Sequence, residues 1–193
     1  FRDVNIAFAN ELSVICENEG INVWDLIKLA NLHPRVDILQ PGTGVGGHCI
    51  AVDPWFIVAN DPKNSLIIKT ARLVNNQKPK WIVSKVAEAI DNENLLNPKI
   101  ACLGLAFKPN IDDLRESPAI EVYKELSRKY ERVFAVEPNI DQNFKDFAIY
   151  SLEDAIKESD IVVILVKHKE FLSPGMRMML KKKMIFDFCG ALQ

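Results

Sequence analysis

The chain has 193 residues, enough for one large domain or two small ones with a sizeable core. Its 26 acidic and 24 basic side chains nearly cancel, which excludes a broad basic field for nucleic acid and a strongly acidic tail. Its apolar runs fall short of the roughly 20 residues that span a bilayer, and no charged-then-apolar leader opens it, so a cytoplasmic protein without membrane or nucleic-acid partners is expected. The basic cluster Lys181-Lys182-Lys183, beside Arg177, reads as a solvated helix end. Cys16, Cys49, Cys102 and Cys189 are far apart and form no C-x-x-C pair, which argues against a disulfide framework and against a metal site. Phe1 is not an initiator methionine and helical periodicity begins at once, so the chain reads as a piece of something longer.

Val4, Ala7, Phe8, Leu12, Ile15 and Cys16 recur at helical spacing over residues 1–19, and Gly20 suits a left-handed C-cap. Asn22, with Asp25 three residues on, starts a second helix that His33-Pro34 stops, since a residue before proline avoids the α region. Residues 34–54 form a long loop, and Asp53-Pro54 reads as the N-cap and first residue of a short helix through Val58. A long apolar helical pattern then runs from Ser65 to Ile90, with Pro79 expected to kink or split it. So many apolar positions on one helix suggest packing against another subunit, although cover within one subunit stays open.

Asn94–Pro98 reads as a linker, after which the pattern changes. Strands are expected at Lys99–Leu105, Arg132–Val136, Ile161–Val166 and Met184–Phe188, with helices starting at Ser117-Pro118 and at Ser151. Continuous apolar strands alternating with helices mean βαβ units and a parallel sheet covered on both faces. Two domains follow, a helical one over 1–96 and a small α/β one over 97–193.

The chemistry concentrates in Pro41-Gly42-Thr43-Gly44-Val45-Gly46-Gly47-His48-Cys49, followed by Asp53. Glycines allow backbone to crowd a ligand or to take positive φ. A thiol on such a loop, one helical turn from a carboxylate, is how a covalent catalyst would be built; a mere tight turn is the competing reading. Gly42-x-Gly44-x-x-Gly47 matches a dinucleotide fingerprint by letter, but no strand precedes it and no helix opens at its third glycine. A loop that lets a sugar or nicotinamide ring approach Cys49 is the better reading. A second candidate, Gly104-Leu105-Ala106-Phe107-Lys108-Pro109, directly follows a strand, where open α/β sheets bind ligands. There Lys108 would meet a phosphate or a developing oxyanion, and Arg115, ahead of a helix start, would serve a pyrophosphate; solvated surface charges are the alternative for both. Cys16 and Cys102 read as small buried hydrophobes, Cys189 is undecided, and His33 and His168 read as surface loop residues.

Gly46-Gly47-His48-Cys49-Ile50-Ala51-Val52-Asp53-Pro54-Trp55-Phe56, with Leu105-Ala106-Phe107-Lys108-Pro109 and Asp113-Leu114-Arg115-Glu116-Ser117, resembles the UDP-glucose/GDP-mannose dehydrogenase superfamily over nearly the whole chain. The resemblance implies an α/β fold: a central helical dimerisation domain, then a Rossmann-like domain that binds the nucleotide sugar, with the family's N-terminal NAD domain absent. It implies NAD as cofactor and a homodimer through the long helix. It also implies a four-electron oxidation, in which a C6 alcohol becomes an aldehyde, Cys49 adds to it, a second hydride leaves to give a thioester, and water releases the carboxylate. Asp53 would position or activate that water. Lys108, Gly46, Gly47 and Phe107 would meet substrate, Arg35 would reach a partner's substrate across the dimer, and Arg115 would reach the NAD. Val52 stands where many UDP-glucose enzymes carry lysine, which favours a UDP-N-acetylhexosamine without separating the manno from the gluco epimer. At Asp187-Phe188-Cys189 the arginine of a frequent Asp-x-Arg is missing. A non-catalytic nucleotide-sugar-binding module or gene remnant, and a thiol-dependent acyl transferase, are the competing functions.

Overall fold

The structure, a computed structural model, describes residues 1–141 and 144–193. Four helices come first: α1 (Arg2–Asn18), α2 (Val23–Ala30), α3 (Asp53–Asn60) and α4 (Leu66–Asn92). The α/β part follows with β1 (Lys99–Leu103), α5 (Pro118–Lys129), β2 (Arg132–Val136), α6 (Leu152–Glu158), β3 (Ile161–Ile164), α7 (Pro174–Met179) and β4 (Met184–Asp187). The sheet is parallel throughout, in the order β2-β1-β3-β4. Its register aligns Val136, Leu103, Ile164 and Asp187 in one row at the carboxyl ends of the strands. From β1 the chain goes first to one side and then crosses back to the other, so the topological switch lies between β1 and β3.

Sheet burial explains the apolar runs. Ile100, Cys102, Ile161 and Val163 pack on one face with α4 and α5; Ala101, Leu103, Val162 and Ile164 pack on the other with α6 and α7. Each fully buried leucine or isoleucine contributes roughly 1.5–3 kcal/mol relative to exposure. The long helix serves both halves. Its first part lies against α1 and α3, while Ile82, Val83, Val86 and Ile90 of its second part enter the sheet core beside α5.

Several expectations shift. Helix α4 is not split: it continues through Pro79 for 27 residues. Proline removes the N–H that would bond the carbonyl four residues back, that of Asn75. This carbonyl faces the glycine loop, where a Cβ added to Gly44 would stand 3.0 Å away. Val52, not Asp53, occupies the N-cap of α3, because the turn begins one residue earlier, with the Asp53 N–H donating to the Cys49 carbonyl at 2.8 Å. Strands β1, β3 and β4 end one or two residues sooner than periodicity suggests. A short 3-10 turn (Lys169–Leu172) adds to the expected elements, and the helix near the basic cluster is α7, which stops at Met179 so that Lys181-Lys182-Lys183 follow it in the turn before β4. Asn22 does cap α2, accepting from the N–H groups of Trp24 and Asp25.

His168 is the clearest correction. It is fully buried, not a surface residue. Burial is affordable because both ring nitrogens are partnered: Nδ1 accepts from the Asn110 N–H at 2.9 Å and Nε2 faces the Glu137 carboxylate at 3.1 Å.

Candidate active site

The glycine loop is bonded to both halves of the molecule. Gly42 N–H donates to Asn10 Oδ1 of α1 at 2.8 Å, the Thr43 hydroxyl donates to the Leu165 carbonyl just past β3 at 2.5 Å, and Gly47 N–H donates to the Arg115 carbonyl at 3.1 Å. Steric demand fixes the glycines. A Cβ on Gly46 would clash with the Glu116 carbonyl oxygen and stand 2.8 Å from Phe107 Cβ; one on Gly47, at φ +83°, would stand 2.9 Å from the Phe107 ring. Gly46 and Gly47 therefore let the loop lie against Phe107 and the segment before α5.

Directly beyond these glycines the chain turns outward. His48 and Cys49 are exposed, and Asp53 is exposed one turn later. The Arg115 guanidinium grips Asp113 through Nε and Nη2, the latter at 2.6 Å. That grip holds the Asp113 carboxyl down at about 2 and raises the Arg115 guanidinium, with a smaller electrostatic pull from the nearby Cys49. The structure thus gathers Cys49, His48, Asp113 and Arg115 at one surface.

The other thiols differ. Burial pushes Cys102 up to about 12, and burial with the Asp187 carboxylate pushes Cys189 higher still. Cys16 is buried under α2. Asp187 is also occupied, accepting from the N–H groups of Cys189, Ala191 and Leu192.

On the other side of the loop lies a cavity of about 320 Å³ at the β1–β3 switch point. Gly42–Gly44 form one wall, Ala106–Pro109 a second and Leu165–Lys167 a third, with Trp24 and Cys189 at the rim. Lys108 stands here, its Nζ 5.7 Å from the centre of the Phe107 ring. The Lys167 ammonium is held by the Gly190 carbonyl at 2.7 Å. Two basic side chains in a partly apolar crevice suit a phosphate joined to an aromatic base. Arg35 is not gathered with them: it is exposed after α2 and lines neither this cavity nor the one of about 500 Å³ around Arg72 and Trp55.

Sequence reasoning gave Thr43 no role within the glycine motif and missed Glu137, Lys167 and Trp24. Glu137 had a readable signal, an acidic residue at the end of a parallel strand. It is buried, and although burial alone would raise its carboxyl, His168 and the N–H groups of Leu105 and Ala106 hold it below the usual range.

A parallel α/β lobe with a crevice at its switch point, joined to a helical part that carries an exposed thiol, has the layout of a nucleotide-binding α/β protein. Comparison with known proteins gives the family. The UDP-glucose/GDP-mannose dehydrogenase family, central domain, matches residues 1–77, and the UDP binding domain of the same family matches residues 101–193. The chain belongs to the UDP-glucose/GDP-mannose dehydrogenase family. It is similar to UDP-N-acetyl-D-mannosamine dehydrogenase of Campylobacter jejuni, 58% identical over 179 residues, covering 89% of this chain and 44% of that protein. The Escherichia coli K12 protein of the same name is 54% identical over 182 residues, covering 89% and 43%. The solved UDP-D-ManNAc dehydrogenase of Pyrococcus horikoshii superposes with a TM-score of 0.89 at 35% identity, covering all of this chain and 46% of that one. The chain thus spans less than half the length of these relatives.

Proposed function

We propose that the chain is the central and C-terminal portion of an NAD-dependent UDP-N-acetyl-D-mannosamine 6-dehydrogenase of the cytoplasm, with residues 1–96 as the helical dimerisation domain and 97–193 as the UDP-sugar domain. The observation that carries this reading is the exposed Cys49, set by Gly46 and Gly47 against the lobe whose switch-point crevice holds Lys108. UDP enters that crevice, with Thr43 and Gly44 along its phosphates and Lys108 toward the sugar. The C6 carbon then reaches across the loop to the thiol.

The turn after β1 does not fit a dinucleotide, because Glu137 already takes its N–H groups. Arg115 does fit as one cofactor contact, being exposed beside Cys49. When bound, NAD accepts the hydride of each oxidation step. The chain's own part is the covalent one. The Cys49 thiolate adds to the aldehyde carbon, and Lys108 stabilises the oxyanion that forms. After the second oxidation the carbon is a thioester of Cys49. Water positioned by Asp53 attacks it, releasing carboxylate and restoring the thiol.

Apolar side chains left outside on α3 and α4, including Phe56, Ile67, Leu66 and Leu73, are proposed to meet a second copy and to bring Arg35 toward the partner's substrate. In the complete enzyme, Cys49→Ser abolishes net uronate formation. A normal NADH yield from that variant would refute the thioester role.

A further inference from the structure

In dinucleotide-binding α/β lobes the N–H groups of the turn after the first strand hold a phosphate. Here a side chain of the protein sits in that seat. Glu137, at the carboxyl end of β2, accepts through Oε2 from Leu105 N–H at 2.6 Å and from Ala106 N–H at 2.9 Å. Its Oε1 accepts from Asn139 N–H at 3.1 Å. The carboxylate and the His168 ring are both fully buried. The tautomer follows from the donors: Nδ1 accepts from Asn110 N–H, so Nε2 carries the proton and donates to Glu137. The same couple therefore pins both ends of one loop, Leu105 and Ala106 through the carboxylate and Asn110 through the imidazole. Asn110, at φ +59°, is fixed further by its Oδ1, which accepts from Lys169 N–H at 2.9 Å. Midway between the pinned points stands Lys108, two residues from Ala106 and two from Asn110.

We propose that Glu137 and His168 are positioning residues for Lys108: the carboxylate fills the phosphate seat after β1, denies it to a dinucleotide, and with the imidazole holds the 105–110 loop so that Lys108 faces the substrate crevice. This rests on the reading of that crevice as the UDP-sugar site. The two residues act on the substrate through Lys108 and do not touch it.

A double-mutant cycle on the chain, read by calorimetric titration with UDP-N-acetyl-D-mannosamine, separates positioning from general stabilisation. Glu137→Gln keeps one oxygen for Leu105 and Ala106 but places an amide against the Asn139 N–H. It should weaken binding about tenfold in the parent chain, and by less than about twofold once Lys108→Met is present, since coupled residues do not add. His168→Asn, the milder change, keeps an acceptor for Asn110 and drops the donor to Glu137; it should show the same non-additivity with a smaller loss. Unaltered binding in both variants, or losses that add fully to that of Lys108→Met, would overturn the positioning role while leaving the site intact. No binding by the parent chain would overturn the site itself, and the couple's purpose with it.

Discussion

The two halves of the molecule are built on opposite plans. In the α/β half the central strands β1 and β3 are apolar beyond Lys99, every residue of β3 is buried, helices close both faces, and charge is buried at the Glu137–His168 couple beside the carboxyl ends of the strands. The helical half buries charge and leaves grease outside. Asp3, Asn10, Arg72, Asn75 and Lys78 are all nearly inaccessible between α1 and α4, while Phe56 and Ile67 are each 71% exposed. Arg72 Nη1 meets Asp3 Oδ1 at 2.6 Å, and Asn75 links Asp3 to Asn10. The α/β half has its own sheet core, one face of which the second part of α4 helps to close. The helical half leaves large apolar side chains exposed on α3 and α4, and its polar interior serves to fix α1, α4 and the glycine loop in one register.

The sharpest way to break this contrast is at the buried pair. Arg72→Met strands the Asp3 carboxylate and should cost about 3–5 kcal/mol in urea unfolding, as breaking one side of a buried ion pair does. Replacing a surface partner such as the half-buried Lys85, paired with the exposed Glu88, should cost less than about 1 kcal/mol. Equal losses would erase the distinction between interior and surface charge.

A second test addresses the outer face. If α4 meets a second copy, Ile67→Glu buries a charge there and should weaken self-association by at least about tenfold in sedimentation, with folding of the single subunit unchanged. A chain that is monomeric before the substitution would remove the dimer proposal.

A third test is a pH dependence confined to the helical half. Burial lowers the Lys78 ammonium to about 7, against a weaker opposing pull from Glu17, although its Nζ bonds Ser13 Oγ and lies over the Trp81 ring. Between about 7 and the ordinary value of 10.5, the unfolded chain holds a proton that the folded chain has released. Stability therefore rises with pH across that window, by at most about 1.4 kcal/mol per unit for one proton. Below it the penalty for burying the charge is fully present. Lys78→Met should flatten the slope; an identical slope in both chains would assign it elsewhere.

The same contrast decided what could be read from sequence. Apolar strands and capped helices are local signals, so the parallel sheet, the Ser151 and Asn22 caps and the Cys49 loop were legible from residue order alone. What stayed hidden depends on partners distant in the chain. His168 looks like a loop residue until Glu137, 31 positions away, closes over it. The glycines of the loop suggest ligand access, yet Gly46 and Gly47 face Phe107, a contact that periodicity cannot foresee. Pro79 predicts a break, but α4 continues where Gly44 lies against the freed carbonyl.

The central claim is that a nucleotide crevice and a thiol on opposite sides of one glycine loop form a single site. The direct measurement is the rate at which iodoacetamide alkylates Cys49 in the chain, followed by peptide mass spectrometry, with and without saturating UDP-N-acetyl-D-mannosamine. The account predicts that Cys49 reacts before Cys16, Cys102 and Cys189, and that the ligand slows it severalfold by laying the sugar over the sulfur. A Cys49 rate unchanged by ligand that demonstrably binds would contradict it.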